Sequence, residues 1–296
     1  MALTTILVGC DLSDGSDIAL DRAIQLAEQH RASIILVHAQ ADDAPIEHVD
    51  NAMLEQLGEV SAAVRVAEAR ELASRLGTVQ QRGLAAEVIS RAGTPADVLV
   101  AVAAEHEAEL IVIGTHGRTG ISRFLIGSQA TDVIRHATID VLVCRGAVAG
   151  PFAKPLVASD FSPAATIALE HTAALCPPAT PIEVVHAWQL PAGSWGATLL
   201  GQARFPWNTV RDAVVSGAKS QAGKMAAAAT AAGHTVHVEL VQGSPTDVLT
   251  STAQKGHHDL IAVGARGHRG VRRLLLGSVA ESTIRHATCS VLVVHG

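Results

Sequence analysis

The sequence predicts an α/β fold that is built twice, each time as a parallel sheet covered by helices on both faces. The first observation is an internal repeat: residues 91–146 align without a gap on residues 241–296, and 25 of the 56 positions are identical. The second is an alternation of strand-like and helix-like segments with fully apolar strands, which is typical of buried parallel sheets. The third is the length, because 296 residues suffice for about two domains.

The join between the two copies falls where glycine and proline interrupt the chain, at Gly146, Gly150, Pro151 and Pro155. We therefore expect one domain over residues 1–147 and a second over residues 152–296. The N-terminal parts also correspond, since "ILVGCDLS" matches "PLVASDFS" and "IILVHA" matches "IEVVHA". The second copy has an insertion before its long helix, "QLPAGSWGATLLGQARFPWN", and all three tryptophans lie in or beside it (Trp188, Trp195, Trp207).

The elements of the first copy follow from the spacing of its apolar residues. Short apolar runs predict five strands, at Thr5–Gly9, Ser33–His38, Ala85–Arg91, Leu110–Gly114 and Asp140–Cys144. Helical spacing and composition predict helices at Ser16–His30, Asn51–Leu76 and Ser128–His136. A further helix runs from Pro95 to about Glu107, because Thr94 can cap it and proline suits its first position. The second copy repeats this order.

Composition argues against several classes of function. Aromatic residues make up 2% of the chain and the net charge is −6, so we expect no nucleic-acid partner. There is no uncharged run of 18 apolar residues and no basic leader segment, so we expect no membrane span, no signal peptide and a cytoplasmic location. The four cysteines form no C-x-x-C pair, and three of them lie in apolar runs as small buried hydrophobes.

A glycine frame of the form G-x2-G-x9-G-S occurs once in each copy, between an apolar strand and a helix. Its residues are Gly114, Gly117, Gly127 and Ser128 in the first copy, and Gly264, Gly267, Gly277 and Ser278 in the second. Ligands of parallel sheets bind beyond the carboxyl ends of the strands, where a helix start presents unpaired N–H groups. Glycine allows a close approach of the backbone and a positive φ. The frame therefore predicts a phosphate-binding loop, with simple turn formation as the alternative.

An aspartate follows the first strand of each copy, at the same sheet edge as the frame: Asp11 and Asp160. A carboxylate beside a phosphate is repelled unless it bonds a ribose hydroxyl, an amine or a shared cation. We favour a nucleoside contact, with Mg²⁺ between the phosphates as the second option. A helix-capping role is the alternative, since Ser13 and Ser162 lie close by.

These residues resemble the universal stress protein family over nearly the whole chain. The resemblance rests on the two strand–aspartate segments, on "VHA" after the second strand, on the segments Gly93–Asp97 and Gly243–Asp247, and on the glycine frames. The frames are specific for the ATP-binding branch of that family. The resemblance implies two Rossmann-like (adenine nucleotide alpha hydrolase-like) domains, each five-stranded, that hold ATP, with Mg²⁺ as its companion.

The resemblance also assigns roles to residues. Asp11 and Asp160 correspond to the first-strand aspartate of the family, the backbone of Ala39 and Ala187 faces adenine, and the two frames hold the phosphates and ribose. Among the loop arginines we add Arg118 to the site as a phosphate-neutralising group, with a solvated surface role as the alternative. Family dimers pair through their fifth strands, "VLVCRG" and "VLVVHG" in this chain. We expect that pairing within the chain, with a homodimer as the other option.

The two copies depart from one another near the expected sites. Asp14 adds a carboxylate in the first copy, Ala158 replaces Gly9 in the second, and the loop interiors differ: His116 and Arg118 correspond to Arg266 and His268. These differences leave open whether both copies hold ATP equally well.

The fifteen histidines also suggest a metal or catalytic role, but their pattern favours structure. His136 and His286 recur at a helix end, where a cation suits the helix dipole. His38 and His186 end the second strand of each copy and either line the pocket or cap the strand. We find no nucleophile, base and orienting group that the sequence places together.

Three functions follow as hypotheses. The first is an ATP-binding stress or signalling module that acts by binding, is not an enzyme and contacts an unidentified protein partner. The second is a slow ATPase or nucleotidyl-transferring enzyme of a related fold. The third is a non-nucleotide interaction protein that uses the glycines for turns. We favour the first, because no base or water-orienting residue for the γ-phosphate is evident.

Overall fold

The structure is a computed structural model that describes residues 3–40, 51–115, 127–189, 207–231, 233–266 and 276–296. The chain divides into two compact units, Ala2–Gly150 and Pro151–Gly296.

The first unit alternates strands and helices throughout. Its elements are β1 (Thr5–Gly9), α1 (Asp14–His30), β2 (Ser33–Gln40), α2 (Asn51–Gln81), β3 (Ala86–Ala92), α3 (Pro95–Glu105), β4 (Leu110–Gly114), α4 (Ser128–His136) and β5 (Asp140–Cys144). All four strand pairings are parallel and give the order β3-β2-β1-β4-β5.

The second unit repeats this order. Its elements are β6 (Pro155–Ala158), α5 (Pro163–Leu175), β7 (Ile182–Trp188), α6 (Trp207–Ala231), β8 (Val236–Gln242), α7 (Pro245–Gly256), β9 (Leu260–Gly264), α8 (Ser278–His286) and β10 (Ser290–Val294). Its parallel strands follow the order β10-β9-β6-β7-β8. The expected fold class, two α/β units in tandem, is confirmed.

The predicted elements agree with the structure in type and differ mainly at their ends. Helix α1 begins at Asp14 rather than Ser16, because Ser13 is its N-cap and accepts a hydrogen bond from the Ser16 N–H. Helix α2 continues to Gln81, beyond the predicted end, and Gly83 follows it with a φ of 75°. Thr94 caps α3 as predicted, by accepting a hydrogen bond from the Asp97 N–H.

Aliphatic side chains fill the core, as the scarcity of aromatic residues requires. The fully buried side chains of the central strands include Ile6, Leu7, Leu110, Ile111 and Leu156. The cysteines are free thiols, of which Cys10, Cys144 and Cys176 are buried. Burial raises the pKa of the Cys144 thiol to about 12, so this cysteine is an unreactive packing residue.

The strand order places a topological switch point at the centre of each sheet. From β1 the chain proceeds outward to β2 and β3, whereas β4 lies on the other side of β1 and leads to β5. The second unit has the same reversal between β6 and β9. Ligands of open parallel sheets bind in the crevice at the carboxyl ends of the strands on either side of such a point. The candidate site residues that the structure describes lie in the segments that meet there.

Candidate functional site

The aspartate after β1 is held in a tight turn at the start of α1. The Ser13 N–H and hydroxyl both donate to the Asp11 Oδ1, at 3.1 and 2.5 Å. The Ser13 Oγ in turn accepts from the Ser16 N–H at 3.2 Å, which caps the helix. The serine is therefore the cap and the aspartate orients it, so the alternative in which the aspartate itself caps the helix is wrong.

The second unit repeats this turn after β6. The Ser162 N–H donates to the Asp160 Oδ1 at 3.0 Å, and the Ser162 Oγ accepts from the Ala165 N–H at 3.2 Å. The residue between aspartate and serine has a positive φ in both units, 63° at Leu12 and 59° at Phe161. Bulky residues rarely adopt this conformation, and such strain is typical of binding edges. Sequence reasoning missed it, because neither leucine nor phenylalanine signals a left-handed backbone.

A histidine ties the ends of the first two strands together in each unit. The His38 Nδ1–H donates to the Cys10 carbonyl at 2.7 Å, and the His186 Nδ1–H donates to the Ser159 carbonyl at 2.8 Å. The His38 side chain is 5% exposed, with its Nε2 3.6 Å from a Glu68 carboxylate oxygen. Of the two roles left open by the sequence, these bonds favour strand bracing over contact with a ligand.

The peptide groups of the residues after these histidines point toward the switch point. The Cys10 N–H donates to the Val37 carbonyl, which directs the Val37 peptide groups toward β1. Peptide groups of successive residues in a strand point to opposite sides, so those of Ala39, two residues after Val37, also point toward β1. The register of β1 with β2 ends at the pair Gly9 and Val37, so Ala39 lies beyond it. In the second unit, Ser159 and Val185 place Ala187 in the same way.

The first glycine of the first frame allows a strand and a helix to approach closely, whereas its counterpart in the second frame is less crowded. A Cβ atom on Gly114 would overlap the Gly15 carbonyl in the first turn of α1. A Cβ atom on Gly264 would lie 3.1 Å from the Arg266 carbonyl oxygen and 3.5 Å from the Ala164 Cβ. Gly114 therefore has a packing role, a third possibility beside the phosphate contact and the turn that the sequence offered.

The last glycine of each frame closes the loop and starts the next helix. The Gly127 N–H donates to the Thr115 carbonyl at 2.9 Å, and the Gly277 N–H donates to the Ala265 carbonyl at 2.8 Å. Both glycines are N-caps without a side-chain cap bond, so the first-turn N–H groups of α4 and α8 lack that usual acceptor. Ser128 and Ser278 are the first residues of these helices.

From the sequence we expect glycine in the frames partly because glycine allows a positive φ, but none of the described frame glycines has one. Gly127 and Gly277 have φ values of −64° and −63°. Gly114 and Gly264 are also absent from the residues with positive φ. Positive φ occurs instead at glycines outside the frames, which include Gly93 (136°) and Gly243 (153°) of the other repeated segments. The remaining expected site residues, Gly117, Arg118 and Gly267, lie outside the described residues.

The arrangement offers donors to an anion and carboxylates to hydroxyl groups. The described residues contain no group of three histidine, cysteine, aspartate or glutamate side chains that could hold a metal ion. Nor does any described helix combine the length and apolarity needed to cross a bilayer. His136 and His286 have structural roles, since each ring Nδ1–H donates to a carbonyl of its own helix at 2.8 Å.

Comparison with known proteins agrees with the repeat. The model described as the universal stress protein family matches residues 3–145 and again residues 152–295. A universal stress protein of Mycolicibacterium smegmatis is 28% identical over 309 residues, covering 98% of this chain and 96% of that protein. Another, from Methanocaldococcus jannaschii, is 46% identical over 59 residues, so the match spans 20% of this chain and 35% of that relative. The crystal structure of a universal stress protein from Archaeoglobus fulgidus shares the fold, with 21% identity, a TM-score of 0.66, and coverage of 99% of this chain and 98% of that chain.

Proposed function

Because the chain belongs to the universal stress protein family, we propose that it binds ATP at the switch point of each unit and acts by binding rather than turnover. The observation that carries this proposal is the repeated helix start at Gly127-Ser128 and Gly277-Ser278, which has no side-chain cap. Unpaired N–H groups and the positive end of the helix dipole favour phosphate there. The glycine frames, which resemble those of the ATP-binding branch, support ATP as the ligand.

Each part of the nucleotide then has a protein group suited to it. The first-turn N–H groups and the serine hydroxyls of α4 and α8 bind the phosphates. Asp11 and Asp160 accept hydrogen bonds from ribose hydroxyls, since the turns described above hold these carboxylates at the crevice. The peptide groups of Ala39 and Ala187 bond the adenine edge. Gly117, Gly267 and Arg118 complete the proposal as loop residues around the phosphate chain.

Magnesium fits this arrangement as a companion of the phosphates. Asp11 and Asp14 follow the first strand of the first unit, and Asp160 follows that of the second. Mg²⁺ commonly keeps several waters and binds substrate phosphates together with one or two carboxylates. The ion would neutralise phosphate charge, while the chain itself supplies the N–H donors.

Binding rather than turnover is supported by the structural hydrogen bonds that His38 and His186 already make. Phosphoryl transfer to water needs a group that orients the attacking water. The His38 Nδ1–H is engaged by the Cys10 carbonyl and its ring is buried. We infer a signalling role in which the nucleotide shifts the population of states that an unidentified protein partner recognises. Slow hydrolysis is the alternative, and a turnover rate above the uncatalysed background would favour it.

The decisive test replaces the last glycine of each frame. Gly127→Val and Gly277→Val place a branched side chain at the helix start, and each should remove nucleotide binding from its own unit. The fold should tolerate the change at Gly127, because a Cβ atom there makes only an ordinary contact, 3.6 Å from the Thr115 oxygen. Calorimetric titration with Mg-ATP should find two sites in the native chain, one in each single variant and none in the double variant.

Gly58→Val in α2 and Gly217→Val in α6 serve as matched controls, because nothing lies within 4 Å of a Cβ atom at either position. Both should keep two sites. Unchanged ATP affinity in the double Gly127 and Gly277 variant would contradict the proposal. Denaturing freshly purified protein and counting the released nucleotide provides an independent measure of occupancy.

A further inference from the structure

A cavity of about 560 Å³ lies between α5 and α6 of the second unit. Its volume is within the usual range for small-molecule pockets. The inner wall is apolar and includes Leu169, Met225 and Ala229, with half-buried Phe161 beside them. Glu170 and Lys224 stand at the exposed mouth. An apolar interior with a few polar groups at its rim is the usual composition of a ligand site.

The corresponding helices of the first unit can be aligned with these two residue by residue. Helices α2 and α6 are each followed by a left-handed glycine, Gly83 and Gly233. The two described residues of α2 that are buried, Leu72 and Val79, correspond to the buried Ala222 and Ala229. The other buried residues of α6, Ala218 and Met225, correspond to the half-buried Glu68 and Arg75. Helices α1 and α5 are both capped by the serine of the aspartate turn, which sets their alignment in the same way.

Several side chains on the cavity wall are shorter than their counterparts in the first unit. Four alanines line the cavity, and the first unit has a larger residue at each equivalent position: Ala173, Ala174, Ala228 and Ala229 correspond to Ile24, Gln25, Thr78 and Val79. The space is therefore encoded in the sequence of this unit, and a bound molecule would recover the lost contacts.

The charges at the mouth also differ between the units. Around the equivalent helices the first unit has three carboxylates and one guanidinium, from Asp17, Asp21, Glu71 and Arg75. There the Arg75 guanidinium bridges Asp17 at 2.7 Å and Glu71 at 2.9 Å. The second unit replaces these residues by Thr166, Glu170, Gln221 and Met225, and it adds Lys224 in place of Ser74. Its mouth is thus less negative, and among the described residues Lys224 has no ion pair.

We propose that this cavity binds a small apolar molecule that carries one anionic group. The apolar part packs against Leu169 and Met225, whose flexible thioether adapts to varied shapes. The anion lies beside the Lys224 ammonium at the mouth. The walls of the site come mainly from two helices of the second unit, and Phe161 adds the turn of Asp160 to them.

Two fluorescent probes that differ in one group test both parts of the proposal. 1-Anilinonaphthalene-8-sulfonate carries a sulfonate, and N-phenyl-1-naphthylamine is its neutral counterpart. Titrations are done with the full chain and saturating Mg-ATP, so that the nucleotide crevices are blocked. Both probes should bind, the anionic one more tightly. Displacement of the probes by ATP would overturn the proposal, since it would place them at the sheet edge.

Substitutions that introduce the residues of the first unit at equivalent positions test whether the probes bind in the cavity. Ala173→Ile and Ala229→Val fill the cavity and should each weaken both probes by about tenfold or more. Lys224→Ser should weaken only the sulfonate probe, by about tenfold. Ala226→Leu, which imports Leu76 at a position that does not line the cavity, is the control and should change neither affinity.

Unchanged probe affinity in Ala173→Ile and Ala229→Val would overturn the assignment of the probes to the cavity. Equal losses of affinity for both probes in Lys224→Ser would overturn the proposed contact between Lys224 and the anionic group. If Ala173→Ile fails to fold, Ala229→Val decides, because it adds only two methyl groups. ATP stoichiometry should stay the same in every variant. Failure of this proposal is thereby distinguishable from failure of the proposed nucleotide function.

Discussion

Within this chain, the carboxyl edge of the sheets and the pair of helices beside it have diverged to very different degrees. At the edge, both units place an aspartate, a left-handed residue and a capping serine in the same turn, with hydrogen bonds of nearly equal length. Between the helices, the first unit packs an arginine bridged to two carboxylates, and the second unit has a cavity. The backbone geometry of the edge is common to both copies, whereas the helix packing is particular to each.

The difference shows which contacts the fold itself requires. The edge turn begins a helix and ends a strand, so any change there disturbs two elements at once. Side chains between α1 and α2 affect only the packing of one layer, and alanines can replace larger residues without changing the helices. A duplicated universal stress protein domain can therefore keep one turn geometry in both copies while the packing of its helices differs between them.

The largest expected effect is a loss of stability when the first glycine of a frame is replaced, and it compares the packing at the sheet edges of the two units. Gly114→Ala should lower the free energy of unfolding of the first unit by about 3 kcal/mol, because its Cβ atom would overlap the Gly15 backbone. Gly264→Ala should cost only about 1 kcal/mol, since the nearest backbone atom is 3.1 Å away. Hydrogen exchange of peptides from each unit measures both changes. Equal losses would mean that the edges pack alike after all.

A smaller effect concerns the caps of the equivalent helices α3 and α7. Thr94→Ala should destabilise the first unit by about 1 kcal/mol, because the Thr94 Oγ1 accepts from the Asp97 N–H. Ser244→Ala should cost no more than about 0.3 kcal/mol, because the Ser244 side chain makes no cap bond. Denaturant unfolding of the two single variants provides the comparison. A larger loss for Ser244→Ala would reverse the assignment of the caps.

The smallest effect is a dependence of stability on pH in the first unit. Partial burial opposes ionisation of Glu109, but hydrogen bonds from the Thr4 hydroxyl and the Thr4 and Thr5 N–H groups lower its pKa below the ordinary 4.5. A lowered folded-state pKa stabilises the unit above pH 4.5, and this contribution disappears as pH falls through the folded-state pKa. The carboxylate is partly exposed, so the effect should stay below about 1 kcal/mol.

Glu109→Gln should remove this acid-sensitive part of the stability, as measured by urea unfolding between about pH 6 and 3. Asp259, which accepts hydrogen bonds from the Ala153 and Lys154 N–H groups, occupies the equivalent place in the second unit. Because the Glu109→Gln variant leaves Asp259 unchanged, the second unit of the same chain serves as an internal reference. An unchanged pH profile in Glu109→Gln would show that the bridge to Thr4 and Thr5 contributes nothing to the acid dependence.

Local pattern determined much of the architecture. The apolar run of residues 110–114 had to be a buried strand, and Thr94-Pro95 had to start a helix, because hydrophobic period and capping chemistry depend on neighbours in sequence. The repeat showed that the same unit occurs twice. The order of these signals also placed Asp11 and the glycine frame at one sheet edge, since parallel strands end together.

Contacts between residues distant in sequence decided the rest. Gly114 is a glycine because the first turn of α1 crosses it, and its own neighbours give no sign of that approach. The left-handed Leu12 and the bond from His38 to the Cys10 carbonyl exist because strands, turn and helix must meet in one place. The alanines of α5 and α6 predict helices wherever they occur, but only the packing of one helix on the other turns them into a cavity. Local propensity is a property of a segment, whereas close approach and unfilled volume are properties of pairs of segments, and these arise only on folding.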